Sequence, residues 1–150
     1  LSEKINPAIL TTSGLVVTGI GLSYLAMLST NASIWHVMLG QGIMGIGNGM
    51  FQSPNNNSIL SSVDKEKVGL VSGMNALVRN VGMVSGVAMA VSVFETRKQY
   101  LASGLDVGDI AGQTASFLGA YQTTLLVAAF LAGLGALISL GRKRSLEQKA

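Results

Sequence analysis

The chain has no cysteine, two prolines, one histidine and one tryptophan, and only 11% of its 150 residues are charged. Without cysteine there is neither a disulfide framework nor a thiolate metal site, and a single histidine cannot supply the ligands of an ordinary zinc site. Charge this sparse leaves a soluble domain short of the polar surface such domains carry. No nucleophile, base and orienting group form a recognisable set, and no glycine loop ends in the Gly-Lys-Ser/Thr that cradles a nucleotide phosphate. The residues point away from an enzyme and call for no cofactor and no metal. The small basic excess, net +3, is read as membrane topology, with no nucleic acid implied.

What is present is apolar length. Residues 5–63 contain no Asp, Glu, Lys or Arg, residues 68–94 contain only Arg79, and residues 110–141 contain none. Each run exceeds the roughly 20 apolar residues that cross a bilayer core, and the first is long enough for two crossings. The expected architecture is an all-α integral membrane bundle: one membrane domain over 1–150, with spans at about 7–28, 35–62, 68–94 and 114–140 and a basic tail at 141–150. If the C-terminus is cytoplasmic, alternation puts Lys4, Lys65, Lys67, Arg142, Lys143, Arg144 and Lys149 inside and only Arg97 and Lys98 outside. That bias predicts a multi-pass protein of the cell (inner or plasma) membrane with a cytoplasmic C-terminus. Leu1-Ser2-Glu3-Lys4 offers neither a basic cluster nor an initiator Met, so the chain reads as a piece of something longer.

The stretch 40–90 organises the rest. It reads as two glycine-rich helices folded back on each other about Asp64-Lys65-Glu66-Lys67. On the first arm Gln41, Asn48, Gln52 and Asn55 recur at helical spacing and share one stripe, beside a second stripe of Gly42, Gly45 and Gly49. An unpaired amide in hydrocarbon is costly, so that side should not face lipid. Pro54 removes one backbone hydrogen bond and supplies a hinge. On the second arm Asn75, Arg79, Gly82 and Gly86 share a face, with Gly69 and Gly73 as a further close-approach surface. Gln52 lies thirteen residues before Lys65 and Arg79 fourteen after it, which at 1.5 Å per residue puts both about 20 Å deep. A hydrogen bond or shared water between Gln52 and Arg79 is expected, with Asn55 or Asn48 as the substitute partner.

These motifs resemble a known family. GQGIMGIGNGMFQSPNNN, together with Ser72-Gly73 and Arg79-Asn80-x-Gly82-x-x-x-Gly86, is similar to the last four helices of a major facilitator superfamily transporter, specifically a fourteen-spanner drug:proton antiporter of the EmrB/QacA-like type. The resemblance covers essentially the whole chain. It implies a secondary active transporter in which two six-helix halves rock about a central site, exporting a small amphipathic or cationic substrate against protons. Its partners would be the lipid bilayer and the missing N-terminal part of the same transporter. Gln41-Gly42 is similar to a Gln-Gly motif on the matching helix of the other half, but the arginine three residues before it is Met38 here. The proton-relay role of that arginine therefore has no carrier in this chain.

Two readings stand beside each other at most of these positions. Arg79 is either a gating or substrate-facing cation or a clamp on helix-end carbonyls and amides. The amides Gln41, Asn48, Gln52, Asn55 and Asn75 either line a translocation pathway or tie helices together. Gly45, Gly49, Gly73, Gly82 and Gly86 are expected to pack helices closely, and His36 to sit among headgroups. All seven acidic residues fall in flanks or loops, so a coupling carboxylate would lie outside this chain. The alternative to transport is a non-transporting structural or assembly membrane protein of four helices.

Overall fold

A computed structural model describes residues 7–106 and 108–147. Among them there is no strand, and the elements are α1 (Pro7–Ala26), α2 (Ile34–Ser61), a single 3-10 turn (Lys65–Lys67), α3 (Val68–Ala102) and α4 (Ile110–Glu147). The all-α bundle read from the sequence is what forms. Three of its helices, at Ile9–Ala26, Lys65–Ala102 and Ile110–Ser139, are long and apolar enough to cross a membrane. At 28 residues α2 is long enough, but Gln41, Asn48, Gln52 and Asn55 to Asn57 hold its hydropathy below theirs.

Two boundaries move. The connector expected after residue 94 is helical: α3 runs on to Ala102 and takes in Glu95, Arg97 and Lys98. Residues 95–103 contain no glycine or proline, and Gly104 beyond them adopts φ +92 and ends the helix in the way that residue allows. Glu95 and Lys98, one turn apart and 4.0 Å from each other, suit helical geometry there. The next helix starts at Ile110 instead of 114 because Asp109 caps it, its Oδ1 accepting from the Gly112 amide at 2.9 Å.

The order in space is α2, α1, α4, α3. Contact is extensive between α1 and α2, between α1 and α4, and between α3 and α4, whereas α2 and α3 barely touch. The α1–α2 seam is built on Gly14 and Gly21 against Gly40 and Gly47, each pair seven residues apart and so on one face. A Cβ on Gly14 would stand 2.7 Å from the Gly47 carbonyl oxygen, and one on Gly47 2.6 Å from the Thr18 amide nitrogen. Lipid offers no hydrophobic drive between helices, so backbone approach of this kind supplies the dispersion contact instead. The α1–α4 seam adds polar ties: Thr12 and Ser139 hydroxyls pair at 2.8 Å, and Gln122 Nε2 donates to the Leu28 carbonyl at 3.0 Å. The latter gives a partner to a loop carbonyl two residues past the end of α1. Phe94 meets Phe117 edge-on, ring centres 5.2 Å apart, and holds the far end of α3 to α4.

Candidate translocation face

The site is built by what α2 and α3 leave uncovered. Gly40 and Gly47 point α2 at α1, and Gln41 and Asn48 follow them directly in sequence. One residue is about 100° of helix, so the amide ladder runs along the edge of the α1–α2 seam and not into it. Gln41 and Asn48 are exposed, and Gln52 and Asn55 half-buried. Pro54 sits within an unbroken α2.

On α3 the stripe Asn75, Arg79, Gly82, Gly86 and Val93 passes between two neighbours. At its start Asn75 Nδ2 donates to Asn56 Oδ1 of α2 at 3.0 Å. At its end Gly86, Met89, Ala90 and Val93 face Thr124, Val127, Ala128 and Leu131 of α4 across an apolar cavity of about 190 Å³. Arg79 stands between these two contacts, exposed, with no hydrogen bond or ion pair among the described residues. Every residue from 77 to 89 is exposed. Charge is otherwise confined to the ends of α3: Lys67 and Asp64 lie 4.0 Å apart at the turn, and Glu95 and Lys98 near the other end.

Two expectations fail here. The two arms do not fold back side by side; they diverge from the turn, because α3 finds apolar partners on α4 and α2 finds its seam on α1. The hydrogen bond from Arg79 to Gln52, Asn48 or Asn55 is consequently not formed among the described residues. For the glycines expected to pack, Gly45, Gly49, Gly73, Gly82 and Gly86, a Cβ would meet nothing within 4 Å among the described residues, so none of them has a close helix partner there. The residue that does join the arms, Asn56, was missed. Its signal was available, since Asn56 lies nine residues before Lys65 and Asn75 ten after it, the same equal-depth count that singled out Gln52 and Arg79. His36 is exposed in the first turn of α2.

The chemistry that this face offers is a set of amide donors and acceptors, one guanidinium and an apolar recess, on helices of membrane length. Comparison with known proteins agrees with that setting. Over 89 residues, 59% of this chain, it is 34% identical to the uncharacterized transporter YebQ of Escherichia coli (strain K12), of which the match covers 20%. Over 100 residues, 67% of this chain, it is 31% identical to the riboflavin transporter RibZ of Clostridioides difficile (strain 630), of which the match covers 22%. The chain thus spans about a fifth of the length of these curated relatives. No family model matches it. No solved structure matches it either. Long apolar helices together with similarity to part of two transporters mark a multi-pass membrane protein.

Proposed function

We propose that this chain is the C-terminal portion of a secondary active transporter of the major facilitator type, a proton-coupled multidrug efflux antiporter that works by alternating access. The observation that carries the reading is the exposed amide ladder of α2 beside the exposed Arg79 of α3, on an assembly similar to transporters. Polar groups placed on membrane helices are expensive in lipid and mark pathways or helix contacts. In this reading α2 is the fourth span, Gln41, Asn48, Gln52, Asn55, Asn75 and Arg79 line the route, and Pro54 with the open glycines lets α2 and α3 bend or slide. The C-terminus is cytoplasmic in a cell inner membrane, and the substrate is a small amphipathic or cationic compound. No acidic residue interrupts the charge-free runs, so the titrating carboxylate belongs to a part of the transporter beyond these residues.

The test is proton movement in everted membrane vesicles carrying the whole transporter. Adding ethidium or a similar amphipathic cation should release protons and dissipate a preformed gradient, and the response should fall at least tenfold in Arg79→Met. Vesicles in which no candidate cation moves protons would overturn efflux coupling. A second reading, a neutral heteroaromatic substrate such as riboflavin, draws on the relative RibZ. Saturable uptake of labelled riboflavin with no proton release on cation addition would favour it.

A further inference from the structure

We infer that Arg79 is paired by a carboxylate on a further transmembrane helix, which lies against α3 where Gly82 and Gly86 leave it open. The argument starts from cost. Arg79 is the only charged residue in 68–94. It stands eleven residues beyond Val68 and sixteen before Glu95, about 16 Å and 24 Å along the axis. An arginine side chain reaching for water from that depth has a long way to go at either end, and a charge held within hydrocarbon needs a counter-charge or a polar cavity. Among the described residues neither is supplied: Arg79 has no hydrogen bond or ion pair there, and the helix around it, residues 77–89, is exposed.

The shape of the face says what the partner is. Gly82 and Gly86, one and two turns beyond Arg79, would admit a Cβ with no neighbour within 4 Å. The exposed strip over 77–89 therefore lies alongside the cation and is bounded by α4 only at its Gly86 end, the form that a crossing helix fills. The relatives are about five times the length of the matched stretch, which leaves ample room for such a helix. Charge complementarity fixes its chemistry as acidic near mid-membrane depth. This rests on α3 crossing the membrane and not on the transport reading.

The test uses the 150-residue chain in phosphatidylcholine vesicles with a labelled leucine-alanine transmembrane peptide carrying one glutamate at its midpoint, and the same peptide carrying glutamine or leucine there. Association is read by energy transfer to a fluorophore at the turn. The glutamate peptide should bind at least tenfold more tightly than the leucine peptide at pH 8. Arg79→Gln should erase that preference, Arg79→Lys should keep most of it, and Gly82→Leu with Gly86→Leu should weaken all three peptides alike. No glutamate preference with the unaltered chain, or a preference that survives Arg79→Gln, would overturn the inference. Loss of pairing with vesicle transport intact would remove this inference alone, and the converse result would remove only the transport reading.

Discussion

Two glycine-lined faces of α2 behave oppositely. On the α1 side a Cβ on Gly47 would run into the backbone of Gly14 and Thr18, and one on Gly40 into the Leu25 side chain. On the other side Gly42, Gly45 and Gly49 face empty space beside the amide ladder. Both faces are rich in the same residue, so glycine by itself does not say which seam is closed. The difference lies in the facing helix: α1 brings Gly14 against Gly47 and packs along this side of α2, while α3 has turned away to α4. One face is finished within this chain, and the other is an open surface carrying the polar groups.

The sharpest way to break the comparison is to place the same bulky side chain on each face. Gly47→Leu should destabilise the assembly by about 3 kcal/mol, the upper end of overpacking penalties, because the obstacles include the α1 backbone at Thr18 and Gly14, which cannot move aside. Gly45→Leu should carry no penalty and, because glycine is a poor helix former, should stabilise by up to about 1 kcal/mol. Unfolding in mixed detergent micelles, followed by helical circular dichroism, measures both. Equal penalties would mean that the α2–α3 side is also closed. Next in size, Gln122→Leu should cost about 1 kcal/mol by leaving the Leu28 carbonyl unsatisfied at the end of α1. The same unfolding assay reads it, and Gln122→Glu should recover none of the loss, since an ionised carboxylate cannot donate.

The sequence made the helices and their membrane character legible because charge-free length reports directly on burial in lipid. It also marked the polar stripe of α2, since a stripe depends only on helical period. Neighbours were harder to read. The equal depth of Gln52 and Arg79 is real in sequence but assumes that consecutive helices lie side by side, and here α1 to α4 contact takes the place of α2 to α3. Nothing local distinguishes Gly47, which packs, from Gly49, which meets nothing within 4 Å. That distinction belongs to the partner helix. Likewise the charge at Glu95, Arg97 and Lys98 marks the exit from the membrane but not the end of the helix, which continues to Ala102.

The smallest effect tests whether the open face has any tie at all. Asn75 and Asn56 form the hydrogen bond joining α2 to α3 beyond the turn, and both are half-buried. Interhelical side-chain bonds in membranes average about 0.6 kcal/mol, because the separated helices find other partners. Asn56→Ala and Asn75→Ala should therefore each cost less than about 1 kcal/mol in global stability, and a double-mutant cycle should give a coupling near that average. The structural readout should move more than the stability does. With spin labels at Ser58 on α2 and Ser72 on α3, either substitution should broaden the interhelical distance distribution, because the remaining restraint on α3 at this end is the turn itself. A distribution left unchanged in both variants would show that the turn alone sets the angle between the arms, and the Asn56–Asn75 bond would then be a consequence of that angle and not a cause of it.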